Sequence, residues 1–168
     1  MDDVNVRVRA AGHGDMAGIL ALAPRLAEGV APWRDQVEAG EAGKRWLADS
    51  LGAAARGDGA VFVAVGATST SADGDSGAAG GEVTGVISVR QVTHFTGERD
   101  GYIGELAVAA STVRQGIGRA LVGAAREWAA ARGLANLTLH TGAYNTGARQ
   151  FYAGLGFRVE EVRLTLPL

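Results

Sequence analysis

A chain of 168 residues has the size of one domain with a core that needs no covalent staple, and splitting it in two would leave each half undersized. Its 47% hydrophobic and 20% charged residues are ordinary globular usage and exclude wholesale disorder. Sixteen basic against eighteen acidic side chains give a net charge of −2, so there is no basic field to condense a polyanion, and nucleic acid is not expected as a partner. The absence of cysteine removes disulfides, thiolate metal sites and cysteine nucleophiles. Met16–Pro24 is the longest apolar stretch near the start and is too short to span a bilayer; Asp2 and Asp3 stand where a signal peptide carries positive charge. A cytoplasmic protein without membrane association is the expectation.

Val4, Val6 and Val8 alternate with polar residues at the period of a half-buried strand, predicted over Val4–Ala10. Ile19, Leu22 and Leu26 have helical spacing within Asp15–Glu28, with Asp15 as a cap and Gly29 as a stop; a second helix is predicted over Asp35–Arg56. The connection Gly29–Arg34 carries Trp33, which either packs on a helix end or serves a site. Val61–Val65 and Val83–Val92 read as antiparallel neighbours, Gly85 being a candidate bulge. Between them, from Thr68 to Gly81, Ser, Thr, Gly, Ala and Asp dominate, too polar to offset their ordering entropy, which predicts a flexible excursion over 68–81. A strand at Tyr102–Val108 leads through small residues to Gly116-Ile117-Gly118. A helix from there to Gly133, a strand at Leu137–His140, a short helix at Thr146–Ala153 and a closing strand over Phe157–Leu166 complete the series. The order β-α-α-β-β-β-α-β-α-β is that of a single α/β domain spanning 1–168 with a mixed sheet.

The turn Arg114-Gln115-Gly116-Ile117-Gly118-Arg119 lies after a strand and before a helix, where main-chain donors favour phosphate groups. A dinucleotide fingerprint requires a small residue where Leu121 stands, and a P-loop requires Gly-Lys-Ser/Thr, which is absent. Three histidines, His13, His94 and His140, have no metal-like spacing, so no metal site is expected.

The run from Glu105-Leu106-Ala107-Val108 through Gly116-Ile117-Gly118-Arg119-Ala120-Leu121, followed by Asn145, Ala148, Phe151-Tyr152 and Leu155-Gly156-Phe157, resembles the GCN5-related N-acetyltransferase (GNAT) family. The likeness is close over Tyr102–Phe157. It implies a mostly antiparallel sheet with helices on both faces and acetyl-CoA as acetyl donor. Its implied coenzyme contacts are the main chain of Leu106 and Val108, the turn Val113, Arg114, Gln115, Gly116, Ile117, Gly118 and Arg119, and Asn145, whose rival role is a helix cap. Val113 departs from the family's signature, which has Arg or Gln there. By the same resemblance Tyr152 matches the proton donor to the departing sulfur, a packed structural tyrosine being the rival reading.

An amine attacking a thioester must lose protons, and Glu105, a carboxylate among apolar neighbours, is the chosen base, direct or through water. A structural Glu–Arg pair is its competing role, and His94 and His140 are alternative bases. By position, Glu28, Trp33, Phe95 and Tyr144, with Asp35, are candidates for an acceptor pocket suited to a cationic amine. The expected reaction is acetyl transfer to a primary amine of a small molecule or peptide; a non-catalytic acyl-CoA-binding or regulatory module and an unrelated nucleotide-binding domain are the competing readings. A homodimer is compatible with the resemblance.

Overall fold

The computed structural model describes residues 6–66 and 81–168. β-Branched, alternating segments form a five-stranded sheet: β1 (Arg7–Ala10), β2 (Gly59–Val65), β3 (Val83–Thr93), β4 (Arg99–Val108) and β5 (Leu137–Leu139), lying side by side in chain order. The first four pair antiparallel and β5 runs parallel to β4, a pairing that needs the long crossover supplied by helix α3 (Ile117–Ala130). Helices α1 (Met16–Ala21) and α2 (Gln36–Ala55) cover one face; α3 and α4 (Thr146–Gly154) cover the other.

Strand alternation divides the core accordingly. Val61, Val63, Val86 and Ala107 point toward Ile19, Leu22 and Leu47 of the α1/α2 layer. Ile87, Val89 and Ile103 meet Ile117, Leu121, Ala125 and Trp128 of α3. Fully burying such a Leu or Ile is worth about 1.5–3 kcal/mol, so the two layers clamp the sheet from both sides. Gly85 lets α3 come close to the sheet: a Cβ there would stand 2.8 Å from Ile117 Cγ2 and 2.9 Å from Leu121 Cδ1. The extra residue of the neighbouring bulge is Thr84, between the pairs Ala64–Gly85 and Val65–Val83, so Gly85 serves helix packing beside the bulge.

A second bulge sets the direction of side chains along β4. Ile87 pairs with Leu106 and Val89 with Ile103, so Ser88 alone opposes both Gly104 and Glu105. The extra residue puts Tyr102 and Glu105 on the same α1/α2 face, although unbroken alternation would separate them. Gly104 is required there because a Cβ would stand 2.8 Å from Ser88 Oγ.

Helix ends follow their residues. The Asp35 carboxylate accepts from the Val37 and Glu38 amides at 2.9 and 3.0 Å, starting α2. Three expectations are corrected. The single helix over Asp15–Glu28 is α1 followed by a 3₁₀ segment, Ala23–Ala27, because Pro24 has no N–H for the ladder and its ring crowds the carbonyl four residues back. Asp15 caps no helix amide with its side chain; it pairs bidentately with Arg9 at 2.6 and 2.8 Å and accepts from Gly12 N–H. The closing strand over Phe157–Leu166 does not form. Its alternation is real, but no sheet edge among the described residues receives it, and Val159, Val162, Leu164 and Leu166 are 77–89% exposed. The excursion expected at 68–81 falls, except for Gly81, outside the described residues. No described helix is long and apolar enough to cross a membrane.

Candidate active site

The site begins where two strands part. β5 pairs with β4 through Gly101–Leu137, Tyr102–Thr138 and Ile103–Leu139, and there the pairing ends. From Gly104 to Val108 the β4 edge on that side has no strand partner among the described residues. The direction of its peptide groups follows from the other edge. Ala109 N–H donates to Thr84 O at 2.8 Å, so, counting back along the alternation, Ala107 faces β3 while the main-chain groups of Leu106 and Val108 face the gap. A fork with two residues' peptide groups turned inward can accept an extended chain as though it were another strand.

Arg25, which no sequence motif singles out, reaches into this fork: its Nε donates to Val108 O at 3.0 Å, and its guanidinium also pairs with Glu28. The Val108 N–H is left facing the gap. No local pattern could have flagged Arg25, since its partner is 83 residues away in sequence.

Beyond the C-terminal end of β4 comes the glycine turn. Arg114 and Gly116 both have left-handed backbone, φ 69° and 81°; such conformations before a helix gather main-chain amides into anion-binding concavities. The first main-chain bond of α3 runs from Ala120 N–H to Gly116 O at 3.0 Å, so the amides of Ile117, Gly118 and Arg119 are free at the helix start. No acidic residue stands in that first turn, and Arg114, Gln115 and Arg119 are exposed around it. Val113 is 46% exposed and brings no polar group.

Tyr152 lies on the α3/α4 face, packed between Phe151 and Phe157 with ring centroids at 5.1 and 5.4 Å. Burial pushes its phenol up to about 12, which keeps the proton on oxygen. Its hydroxyl makes no hydrogen bond to a described residue. Glu105 lies on the opposite face, 8% exposed beneath α2. Its Oε2 accepts from Ser50 Oγ at 2.8 Å and from Ser88 Oγ, and its amide donates to Ser88 Oγ at 3.1 Å. Burial raises its pKa, while the two serine hydroxyls and the charge of Arg90 pull it back. The anticipated structural alternative, pairing with an arginine, is thus replaced by a pair of serines. The two candidates flank the open edge of β4 from opposite sides.

Of the acceptor candidates, three come together. The Trp33 ring meets Tyr144 edge-on at 5.8 Å, and Asn145 Nδ2 donates to Glu28 O at 3.2 Å, so the α1–α2 connection rests on the β5–α4 connection. The contact is close enough to need glycine: a Cβ on Gly29, at φ 78°, would stand 2.3 Å from Asn145 Cβ. Asn145 also accepts from Ala148 N–H at 3.0 Å as the cap of α4, so its helix-capping role is realised. Phe95 is placed apart, 87% exposed on the β3–β4 turn with its ring tilted against His94; Asp35 is engaged as the α2 cap. Among the described residues no cluster of His, Asp or Glu is arranged to hold a metal.

A fork in the sheet thus lies beside the glycine turn, with Asn145, Phe151-Tyr152 and Gly156-Phe157 following along the chain. The model of the acetyltransferase (GNAT) family matches residues 45–157, more than half of the chain. The chain belongs to the GNAT acetyltransferase family. Among solved structures, this GNAT chain is similar to an acetyltransferase from Trypanosoma brucei, with 24% identity and a TM-score of 0.66 over 98% of this chain and 100% of that one. It is also similar to a tetramutant of the BH1408 protein from Bacillus halodurans, with 19% identity and a TM-score of 0.70 over 96% and 99% of the two chains. A transcriptional regulator from Bacillus halodurans C-125 shares 23% identity and a TM-score of 0.61 over 98% and 100%. At these identities the likeness is one of fold. No curated protein matches the sequence.

Proposed function

We propose that the protein transfers the acetyl group of acetyl-CoA to a primary amine of a small molecule or peptide by direct attack. The observation that carries this reading is the open β4 edge, with Leu106 and Val108 turned into the gap, a glycine turn at one end and Tyr152 and Glu105 on opposite faces. Acetyl-CoA supplies an activated acyl thioester; the work left to the chain is to hold it, admit the amine and move protons.

The free amides at the start of α3, with Arg114 and Arg119, suit the diphosphate, and this grip does not depend on the side chain missing at Val113. Leu106 and Val108 offer main-chain groups to the arm. Arg25 takes the Val108 carbonyl, while the Val108 N–H, turned into the gap by the strand alternation, donates to the acyl oxygen as negative charge develops on it. Glu28, Glu105, Trp33 and Tyr144 give the amine side carboxylates and aromatic faces, which favour a cation. Glu105 takes a proton as the nitrogen–carbon bond forms, and Tyr152, protonated at all physiological pH, donates to the departing sulfur.

Isothermal calorimetry with coenzyme A and thiol release from acetyl-CoA over a panel of amines test the reading. Binding together with amine-dependent thiol release is expected. Binding without release on any amine would favour a non-catalytic acyl-CoA module, and ATP or NAD raising the melting temperature more than coenzyme A would point to a different nucleotide site.

A further inference from the structure

Val108 closes β4, and the peptide unit that follows it is held at both ends. Its N–H, on Ala109, donates to Thr84 O at 2.8 Å, and Thr84, the extra residue of the β3 bulge, is itself anchored through Oγ1 to Ala64 O at 3.2 Å. Its C=O, on Val108, accepts from Arg25 Nε at 3.0 Å. One end is thus tied through β3 to β2. At the other, where β4 has no strand neighbour among the described residues, Arg25 stands in for one. Pinning that unit limits rotation about Val108, whose own N–H faces the gap.

The same guanidinium works in a second direction. Its Nη1 donates to the Glu28 carboxylate, a charge-assisted bond. The main-chain carbonyl of Glu28 accepts from Asn145 Nδ2 at 3.2 Å, Asn145 Oδ1 accepts from Ala148 N–H at 3.0 Å, and α4, so capped, carries Tyr152. A series of contacts through Arg25, Glu28 and Asn145 therefore crosses the mouth of the fork, from the last carbonyl of β4 to the helix that bears the phenol. With Arg25 31% and Glu28 52% exposed, the ion pair adds little stability. What it contributes is geometry: arginine presents Nε and Nη1 as separate donors in one rigid plane, which a lysine ammonium cannot reproduce.

We propose that Arg25 is a positioning residue for the transfer: it holds Val108 so that the N–H meets the acyl oxygen, and through Glu28 and Asn145 it keeps that donor in register with Tyr152. The assignment rests on the proposed reaction and adds to it a residue that takes no proton and forms no bond. As the amine nitrogen bonds to the acyl carbon, negative charge gathers on the acyl oxygen. A donor already fixed there has nothing to reorganise at that moment. When the carbon–sulfur bond breaks, the proton for sulfur comes from Tyr152, and Arg25 stays protonated throughout.

The test uses the full chain carrying Arg25→Lys or Arg25→Ala. It measures kcat for thiol release with the amine that supports it best, the calorimetric Kd for coenzyme A, and the infrared carbonyl band of isotope-labelled acetyl-CoA bound without amine. In the wild type that band should lie below its position in free acetyl-CoA, because the Val108 N–H polarises the carbonyl. In both variants it should move back toward the free position, and kcat should fall about 10- to 100-fold, the scale of a displaced or weakened preorganised donor. Coenzyme A has no acyl oxygen, so its Kd should stay unchanged, as should the melting temperature. Arg25→Lys keeps the charge but reaches one partner at a time, so its failure to restore kcat separates geometry from charge. Wild-type kcat in either variant, a band left at its wild-type position, or a kcat loss matched by weaker coenzyme A binding or a lower melting temperature overturns the assignment while leaving the reaction standing. Wild-type protein that releases no thiol with any amine overturns the two together.

Discussion

Replacing Tyr152 by phenylalanine separates chemistry from packing with one oxygen atom. The ring sits between Phe151 and Phe157, and its hydroxyl has no partner among the described residues, so the variant keeps the packing and loses no internal hydrogen bond. Stability at pH 7 should hold or rise, because deleting a poorly satisfied polar atom costs little. What goes is the proposed donor to sulfur. A hydrogen bond to a charged partner is worth about 1.5–3 kcal/mol, so thiol release should slow roughly 10- to 150-fold while the calorimetric Kd for coenzyme A moves less than about threefold. Titration gives a second reading. The folded phenol is raised from 10.0 to about 12, a gap worth about 2.7 kcal/mol. Because the folded value is the higher one, this contribution is complete below pH 10 and is lost as pH climbs from 10 toward 12. The phenylalanine variant should therefore lack that part of the alkaline decline in urea stability. Full-speed thiol release, or a clear drop in stability at pH 7, would refute the role given to Tyr152.

Three further outcomes rest on named contacts. Gly116→Ala puts a Cβ on left-handed backbone, φ 81°, at about 1–2 kcal/mol, and should weaken coenzyme A binding at least about tenfold by crowding the amide cradle; equal affinity by calorimetry would remove the turn from the site. Glu105→Gln keeps an acceptor for Ser50 and Ser88 and removes a buried charge. Since burial raises the folded carboxyl above 4.5, the wild type loses stability as pH rises through that higher value, so the variant should melt higher than wild type at pH 7 but not at pH 4, and it should turn over more slowly. Gly85→Ala should cost about 1–3 kcal/mol in urea unfolding through overlap with Ile117 and Leu121; an unchanged midpoint would mean that α3 does not sit this close.

The strands were legible where burial leaves a dense imprint. Val61–Val65 and Val83–Val92 are continuous or alternating apolar runs, and β2 and β3 lie there. Gly116 marked the turn because its left-handed backbone, φ 81°, favours glycine. The closing strand misled because alternation reports only that a segment suits a half-buried surface, and Val159–Leu166 has the pattern yet pairs with no strand among the described residues. Pro24 was a visible breaker whose weight the helical spacing of Leu22 and Leu26 concealed. The candidate site was legible as a glycine turn and a Phe-Tyr pair, and less so in its side-chain partners. Arg25 on Val108, Ser50 on Glu105 and His140 on Tyr102 join residues 38–83 apart, and nothing in a local window registers such distances. The bulge at Gly104-Glu105 was equally hidden, since it shows only when β3 is laid against β4.

The fork's inward-facing groups at Leu106 and Val108 belong to peptide units, which every amino acid except proline carries in full. Alanine scanning across that stretch would consequently record a quiet zone, and a surveyor relying on it would mistake the grip for filler. Swapping the single amide of Val108 for an ester by chemical ligation deletes the donor while sparing the isopropyl group, and that backbone edit is the one that would make the silence speak.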